Sequence, residues 1–154
     1  MNRVAVCTDD VPLPPWSASL KSYARKVLAR LGRDKWDLSI LLCGDKTISG
    51  LNSHYRGKAE ATDVLSFSLD EGDTFPLSGR LAPGDIVISL DTLRENASHF
   101  NISEDEELRR LLIHGILHLD GMDHSSNEKA EPMLQLQERI LSELAGEQIV
   151  GGNV

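Results

Sequence analysis

The chain has 154 residues, of which 40% are hydrophobic and 26% charged, and this is typical of a single globular domain. No segment approaches the roughly 20 apolar residues of a membrane-spanning helix or forms a secretory signal, so we expect one cytoplasmic domain over residues 1–154. The formal net charge of −8 excludes a uniformly basic surface of the kind that binds nucleic-acid phosphates.

Short runs rich in apolar and β-branched residues predict four strands, at residues 3–8, 38–43, 62–68 and 85–90. A loop rich in Gly, Pro, Asp and Glu separates the last two runs. Cys7 and Cys43 lie inside the first two runs, and we expect both to be buried free thiols rather than a disulfide.

Helical periodicity follows the first and second predicted strands and dominates the second half of the chain. Asp45 and Asp91 are candidate N-caps of the second and third helices, and Phe100 is an apolar position of the third. A further helix ends before Gly146, and we expect the tail from that residue to be frayed. These elements indicate an α+β fold in which a small mixed four-stranded sheet packs with about five helices.

The charges are distributed unevenly along the sequence. Residues 1–60 hold ten Lys or Arg against six Asp or Glu, whereas residues 61–154 hold six against eighteen. A local basic surface is compatible with this distribution, and so are ordinary solvated helix faces. In the first predicted helix the basic side chains scatter over the solvent side without forming one stripe.

The longest apolar helix carries two histidines. Ser103 and Glu106 form a capping box at its start. From residue 111 onward the helix is apolar on nearly every side except where His114 and His118 project. We therefore expect a central buried helix whose histidines lie on the floor of a cleft.

Three histidines in this region have the spacing of metal ligands. His114 and His118 share one helix face, and a left-handed turn at Gly121 can bring His124 back toward them. Three imidazoles suit a Zn²⁺-type ion and leave a fourth position open for water. Structural zinc sites are usually closed by four ligands and favour Cys, so the pattern predicts a catalytic metal site.

The same spacing occurs in the HExxHxxGxxH zinc peptidases, with one difference. Gly115 stands where those enzymes have the glutamate that acts as general base, which counts against peptide hydrolysis. Asp123, next to His124, is the nearest candidate replacement. Its role is either to orient an imidazole or to transfer a proton directly.

The stretch HGILHLDGMDH, together with LNSHYRGKAEATDVLSFSLDE at 51–71 and PGDIVIS at 83–89, resembles the YbeY family of metal-dependent endoribonucleases. The resemblance implies an α+β fold and one zinc-type ion per chain, held by His114, His118 and His124. It also implies single-strand-specific cleavage in 3′-end maturation of small-subunit ribosomal RNA and in ribosome quality control. The implied partners are ribosomal RNA, the small ribosomal subunit and its assembly factors, with no membrane and no DNA.

The resemblance further implies a catalytic role for Arg56, which matches the arginine of the family's YRGK segment. A guanidinium can bind a phosphate with two hydrogen bonds and stabilise charge that develops during cleavage. The predicted catalytic residues are thus Arg56, His114 and Asp123. Imidazole ligands also accept Ni²⁺ and other divalent ions. Two alternatives stay open, namely a metal-dependent hydrolase of another substrate, such as a peptidase, and a ribosome-assembly factor whose metal is structural.

Overall fold

The computed structural model describes residues 1–68, 74–75, 80–122 and 131–151. In these ranges the chain forms five strands and five helices, in the order β1 (Arg3–Asp9), α1 (Ser17–Arg30), β2 (Trp36–Cys43), α2 (Asp45–Arg56), β3 (Val64–Ser68), β4 (Thr74–Phe75), β5 (Arg80–Ser89), α3 (Leu90–Phe100), α4 (Glu104–Leu119) and α5 (Pro132–Glu143). The predicted α+β class is confirmed. The predicted loop before residue 85 was too long, because it contains β4 and the first part of β5.

The strands form one mixed sheet in the order β1-β2-β5-β3, and the two-residue β4 also pairs with β5. β1, β2 and β5 are parallel, whereas β3 and β4 run antiparallel to β5. The parallel pair β1 and β2 is joined by α1, as the helical crossover between parallel strands requires. Among the described strands, β3 therefore forms one edge of the sheet.

One face of the sheet forms the main core with α1, α3, α4 and α5. Alternate residues of β2, namely Leu38, Ile40 and Leu42, are almost fully buried there. α4 is the central helix, since ten of its 16 residues are buried. None of the described helices combines the length and apolar character needed to cross a membrane.

The opposite face of the sheet is only partly covered. Ile48 of α2 packs there on Cys43, Leu65 and Val87 in a second, smaller cluster. Both cysteines are free, and burial raises the pKa of Cys43 to about 12. The prediction that Cys7 is buried was wrong, because it projects from β1 to the part of this face that α2 leaves open.

The two predicted aspartate caps each support the start of the other helix. The N-cap of α2 is Gly44, and that of α3 is Ser89, whose hydroxyl accepts from the Thr92 amide at 3.3 Å. Asp91 accepts a hydrogen bond from the Asp45 amide at 2.9 Å. In return, the Asp45 carboxylate accepts from the hydroxyls of Ser89 at 2.7 Å and Thr92 at 2.6 Å.

The described part of the chain after α5, up to residue 151, is docked on α4 rather than frayed. Ile149 is fully buried, and its amide and that of Val150 each donate to Asp105 Oδ1 at 2.7 Å. Asp105 thus connects the first turn of α4 to the tail, which corrects the expectation of a frayed end. Phe100, the apolar position predicted for the third helix, is the last residue of α3 and is 62% exposed.

Ion pairs between described residues neutralise two of the four basic side chains of α1, and also Arg33 just beyond its end. Their partners are acidic residues of the second half of the chain, and the pairs are Lys26–Glu147, Arg30–Glu143 and Arg33–Asp120. The unevenness of charge along the sequence is therefore largely cancelled where α1 meets the later elements. α1 does not present a continuous basic surface to a nucleic acid.

Candidate active site

α4 approaches the sheet closely at Gly115. A Cβ atom at this position would lie 2.9 Å from Cγ2 of Ile86 on β5, well inside normal contact distance. Gly115 is therefore required by packing, and its position faces the buried side of α4. A glutamate there would have to displace Ile86 from the core, and this gives a physical reason why the general base of the peptidase pattern is missing.

His114 and His118 meet one turn apart on the exposed side of α4. Both side chains are half-buried, and their rings lie nearly perpendicular with centroids 4.6 Å apart. Their Nε2 atoms are 3.1 Å apart. The prediction that these two imidazoles share one helix face is confirmed by this geometry.

A chain of hydrogen bonds from α5 fixes the tautomer of His114. Arg110 Nε and Gln137 Nε2 both donate to Glu138 Oε2, at 2.9 and 3.1 Å. Since the Gln137 amide nitrogen faces this carboxylate, its Oε1 accepts from His114 Nδ1 at 2.6 Å. His114 therefore carries its proton on Nδ1, and the lone pair of Nε2 is directed toward His118.

The imidazole pair fits a metal ion of the zinc type. Two nitrogen ligands of a tetrahedral Zn²⁺, each about 2.0–2.1 Å from the ion, lie about 3.3 Å apart. The observed 3.1 Å is close to that spacing, and the Gln137 contact is the kind of support that metal-bound imidazoles have. The other two predicted residues, Asp123 and His124, lie outside the described residues. In the part of the chain that the structure describes, no group of three His, Cys, Asp or Glu side chains is arranged to hold an ion.

The histidines open into a cleft of about 390 Å³ whose opposite wall is β3 and the end of α2. Alternate residues of β3, including Ser66 and Ser68, line the cleft together with Arg56. Arg56 Nη2 donates to the Ser66 carbonyl oxygen at 3.3 Å, and Ser66 Oγ donates to the carbonyl oxygen of Gly115 at 3.4 Å. Arg56 and the two described histidines thus line one cleft, although they are more than fifty residues apart in sequence.

Asp63 also lines this cleft, and the sequence analysis did not single it out. Its Oδ1 accepts from the Val64 amide at 2.8 Å, and its Oδ2 accepts from Asn96 Nδ2 at 3.1 Å. Its carbonyl oxygen accepts from the Ser89 amide at 2.9 Å. These bonds fix the start of β3 against β5 and α3, so that Asp63 positions the cleft wall.

A second cavity, of about 730 Å³, shares Asp63 and His114 with the cleft. Glu107 lines it and is almost fully buried. Burial raises the pKa of this carboxyl, against the opposing effects of a hydrogen bond from Asn96 and of the Arg110 charge. Arg110 in turn holds the pKa of Glu138 below its usual value, so this ion pair joins α4 to α5.

Sequence reasoning also missed Gln137. The side chain lies on the buried face of α5, between Met133 and Ile140 at helical spacing, and it is only 6% exposed. A polar residue at such a position was the available signal, because buried amides need partners. Only the fold shows that the partner is His114.

A family model described as Endoribonuclease YbeY matches residues 9–145. Endoribonuclease YbeY of Treponema pallidum (strain Nichols) is 44% identical over 145 residues, covering 93% of this chain and 90% of the relative. The protein of the same name from Treponema denticola is 45% identical over 146 residues, covering 91% and 92%. The solution structure of TM1509 from Thermotoga maritima is similar with a TM-score of 0.60 and 29% identity, covering 94% of this chain and 90% of that one.

Proposed function

The chain belongs to the YbeY family of endoribonucleases, and from this membership we propose that it is a metal-dependent enzyme that cleaves ribosomal RNA. The observation that carries the proposal is that Arg56, His114 and His118 line one cleft. An imidazole pair suited to a cation and a guanidinium suited to a phosphate are the two groups that phosphodiester hydrolysis requires.

We assign one Zn²⁺ ion per chain to His114, His118 and His124. Ni²⁺ or another divalent ion is compatible with the same ligands. When bound, the ion supplies Lewis-acid activation of water and of the scissile phosphate. Gln137 supports this assignment because it keeps the His114 proton on Nδ1, so that the lone pair of Nε2 is the group that would bind a cation.

Arg56 is the residue that we assign to the phosphate. Its guanidinium has five N–H donors, and the structure pairs one of its nitrogens with the Ser66 carbonyl oxygen. This contact limits the rotamers of a side chain that is otherwise exposed, which lowers the entropy lost when a phosphate binds. The remaining donors can bind the non-bridging oxygens and stabilise their charge during cleavage.

We assign Asp123 to the proton transfers or to the orientation of His124, its neighbour in sequence. A separate proton acceptor is needed because Gly115 occupies the peptidase position and is packed against Ile86. Either role for Asp123 is compatible with a carboxylate next to a metal ligand.

Family membership also supports the biological setting. We propose that the substrate is single-stranded RNA, cleaved in 3′-end maturation of small-subunit ribosomal RNA and in ribosome quality control. The partners would be the small ribosomal subunit and its assembly factors in the cytoplasm.

The test is metal analysis of the purified protein, coupled to cleavage assays with ribosomal RNA precursor and with an unfolded protein. We expect cleavage of RNA alone, lost on chelation and lost in His114→Ala together with most of the bound metal. Full ribonuclease activity in His114→Ala would refute the mechanism. Cleavage of the unfolded protein instead would indicate a peptidase, and rescue of ribosome maturation in cells by an inactive His114→Ala protein would indicate an assembly factor.

A further inference from the structure

An open groove of about 320 Å³ lies on the partly covered face of the sheet. Tyr55 and Leu51 of α2 form one side of it, and Phe67 of β3 and Cys7 of β1 contribute to the rest. The groove is mainly apolar, but the exposed carboxylate of Asp85 also lines it. None of these groups has a role in the cleft described above.

The groove and the active-site cleft are separated by a single strand. Along β3, Ser66 and Ser68 line the cleft, whereas Phe67 between them lines the groove. The last two residues of α2 also face different surfaces, since Arg56 lines the cleft and Tyr55 lines the groove. Because β3 is an edge strand, an extended chain that crosses this edge would contact both surfaces.

Tyr55 is the most unusual residue of the groove. It is 63% exposed, and its ring centroid is 5.1 Å from that of Phe67 and 4.5 Å from that of His54. These contacts restrain the ring while leaving most of its surface open. Arg56 is the next residue and Lys58 lies two residues further on, and neither has an acidic partner among the residues described.

A restrained, exposed aromatic ring beside exposed cations is how proteins bind single-stranded nucleic acids, with bases stacked on rings and phosphates held by the cations. Asp85 would repel a phosphate but can accept a hydrogen bond from the amino group of a base. The charges therefore assign the phosphate to the cleft side of β3 and the base to the groove side.

We propose that Tyr55, supported by Phe67, stacks on a nucleobase of the single-stranded RNA whose phosphate lies beside Arg56 in the cleft. This inference rests on the proposed function, because RNA is the occupant that makes the groove and the cleft one continuous surface. Tyr55 is then a substrate-positioning residue on the far side of the edge strand from the reacting groups.

The test is the affinity of the metal-loaded protein for a short fluorescein-labelled oligocytidylate, measured by stopped-flow anisotropy before the RNA is cleaved. Stacking of one base contributes about 1–3 kcal/mol, so Tyr55→Leu should bind about 5- to 150-fold more weakly than the wild type. Tyr55→Phe should bind within a few-fold of the wild type, because it keeps the aromatic ring and loses only the hydroxyl. RNA with abasic sites should bind weakly to all three proteins.

The free thiols provide a second readout of the same complex. Cys7 lies in the groove and is exposed, whereas Cys43 is buried with a pKa of about 12 and serves as the unreactive internal reference. Oligocytidylate should slow alkylation of Cys7 by N-ethylmaleimide in the wild type, and much less so in Tyr55→Leu.

The inference would be overturned if Tyr55→Leu and the wild type bound RNA with equal affinity and had equal unfolding midpoints. Tight binding of abasic RNA, or no binding of RNA by the wild type, would also overturn it. Tyr55-dependent binding by a metal-loaded protein that cuts no RNA would overturn the proposed function instead. Cleavage that is independent of Tyr55 would leave the proposed function standing and assign the groove to another partner.

Discussion

Replacing Gln137 by leucine tests whether α5 supports a metal site built on α4. The substitution keeps the approximate volume of a side chain that is 6% exposed, but it removes the acceptor of the 2.6 Å bond from His114 Nδ1. The imidazole then loses the contact that fixes both its orientation and its tautomer. Because the amide also donates to Glu138, a glutamate at position 137 would bring two carboxylates together and is a poorer test.

The size of the effect follows from the contact that is lost. Removing the hydrogen-bonded support of a metal-bound imidazole typically weakens metal binding by about 10- to 100-fold, or about 1.4–2.8 kcal/mol. The part-buried Nδ1–H of His114 also loses the Gln137 acceptor, which should lower the free energy of unfolding by about 1 kcal/mol even without metal. The weaker metal binding reports on the metal site, and the lower free energy of unfolding reports on the stability of the fold.

The measurements are zinc affinity by competition with a chromophoric chelator, RNA cleavage at saturating zinc, and urea unfolding of the metal-free protein. Gln135→Leu is the matched control, since Gln135 is exposed on the same helix. We expect it to match the wild type in all three. Unchanged zinc affinity in Gln137→Leu, with the expected loss of stability, would refute the assignment of this amide to a metal site and leave it a packing role only.

Three further predictions concern Arg56, Asp105 and Glu107. Arg56→Ala should lower kcat for RNA cleavage by about 10²- to 10³-fold. The control Arg25→Ala removes an exposed arginine of α1 and should leave kcat unchanged. Equal effects of the two substitutions would contradict a specific phosphate contact at Arg56. Asp105→Ala removes the acceptor of two tail amides and should lower the free energy of unfolding by about 3 kcal/mol, measured in urea. It should also increase proteolysis after α5. An unchanged proteolysis pattern would show that the tail is held by other contacts. Burial raises the pKa of Glu107, so the folded state binds this proton more tightly and loses stability as the pH rises from the usual glutamate pKa through the raised value. Glu107→Gln lacks this loss, and its unfolding free energy should therefore rise relative to wild type as the pH increases above the usual glutamate pKa; a constant difference would contradict the raised pKa.

Local patterns predicted most of the elements because burial in this fold follows them. The apolar residues of β2 alternate into the core, and most of the buried residues of α4 are apolar, so periodicity located both. The i and i+4 spacing of His114 and His118 is likewise a property of one helix. These features need no knowledge of what lies across the molecule.

The features that sequence reasoning missed depend on contacts between elements. Cys7 has the neighbours of a buried strand residue, but α2 covers only part of its face of the sheet and leaves Cys7 exposed. Asp45 and Asp91 have the positions of caps, yet each bonds to the other helix. Gln137 is recognisable as a partner of His114 only when α5 lies against α4. Tertiary packing determines pairings of this kind, and a local sequence pattern carries no information about them.

The comparison with zinc peptidases shows which part of the site determines the chemistry. The ligand spacing depends only on helix geometry, so unrelated enzymes can share it. The residue between the ligands depends on what lies beneath the helix, and here Ile86 leaves room only for Gly115. α4 cannot supply a carboxylate at that position, and in the proposed mechanism the group that selects the substrate lies on the opposite wall of the cleft. That wall is β3 with the end of α2, and the group it contributes is the Arg56 guanidinium, which is suited to a phosphate rather than to a peptide.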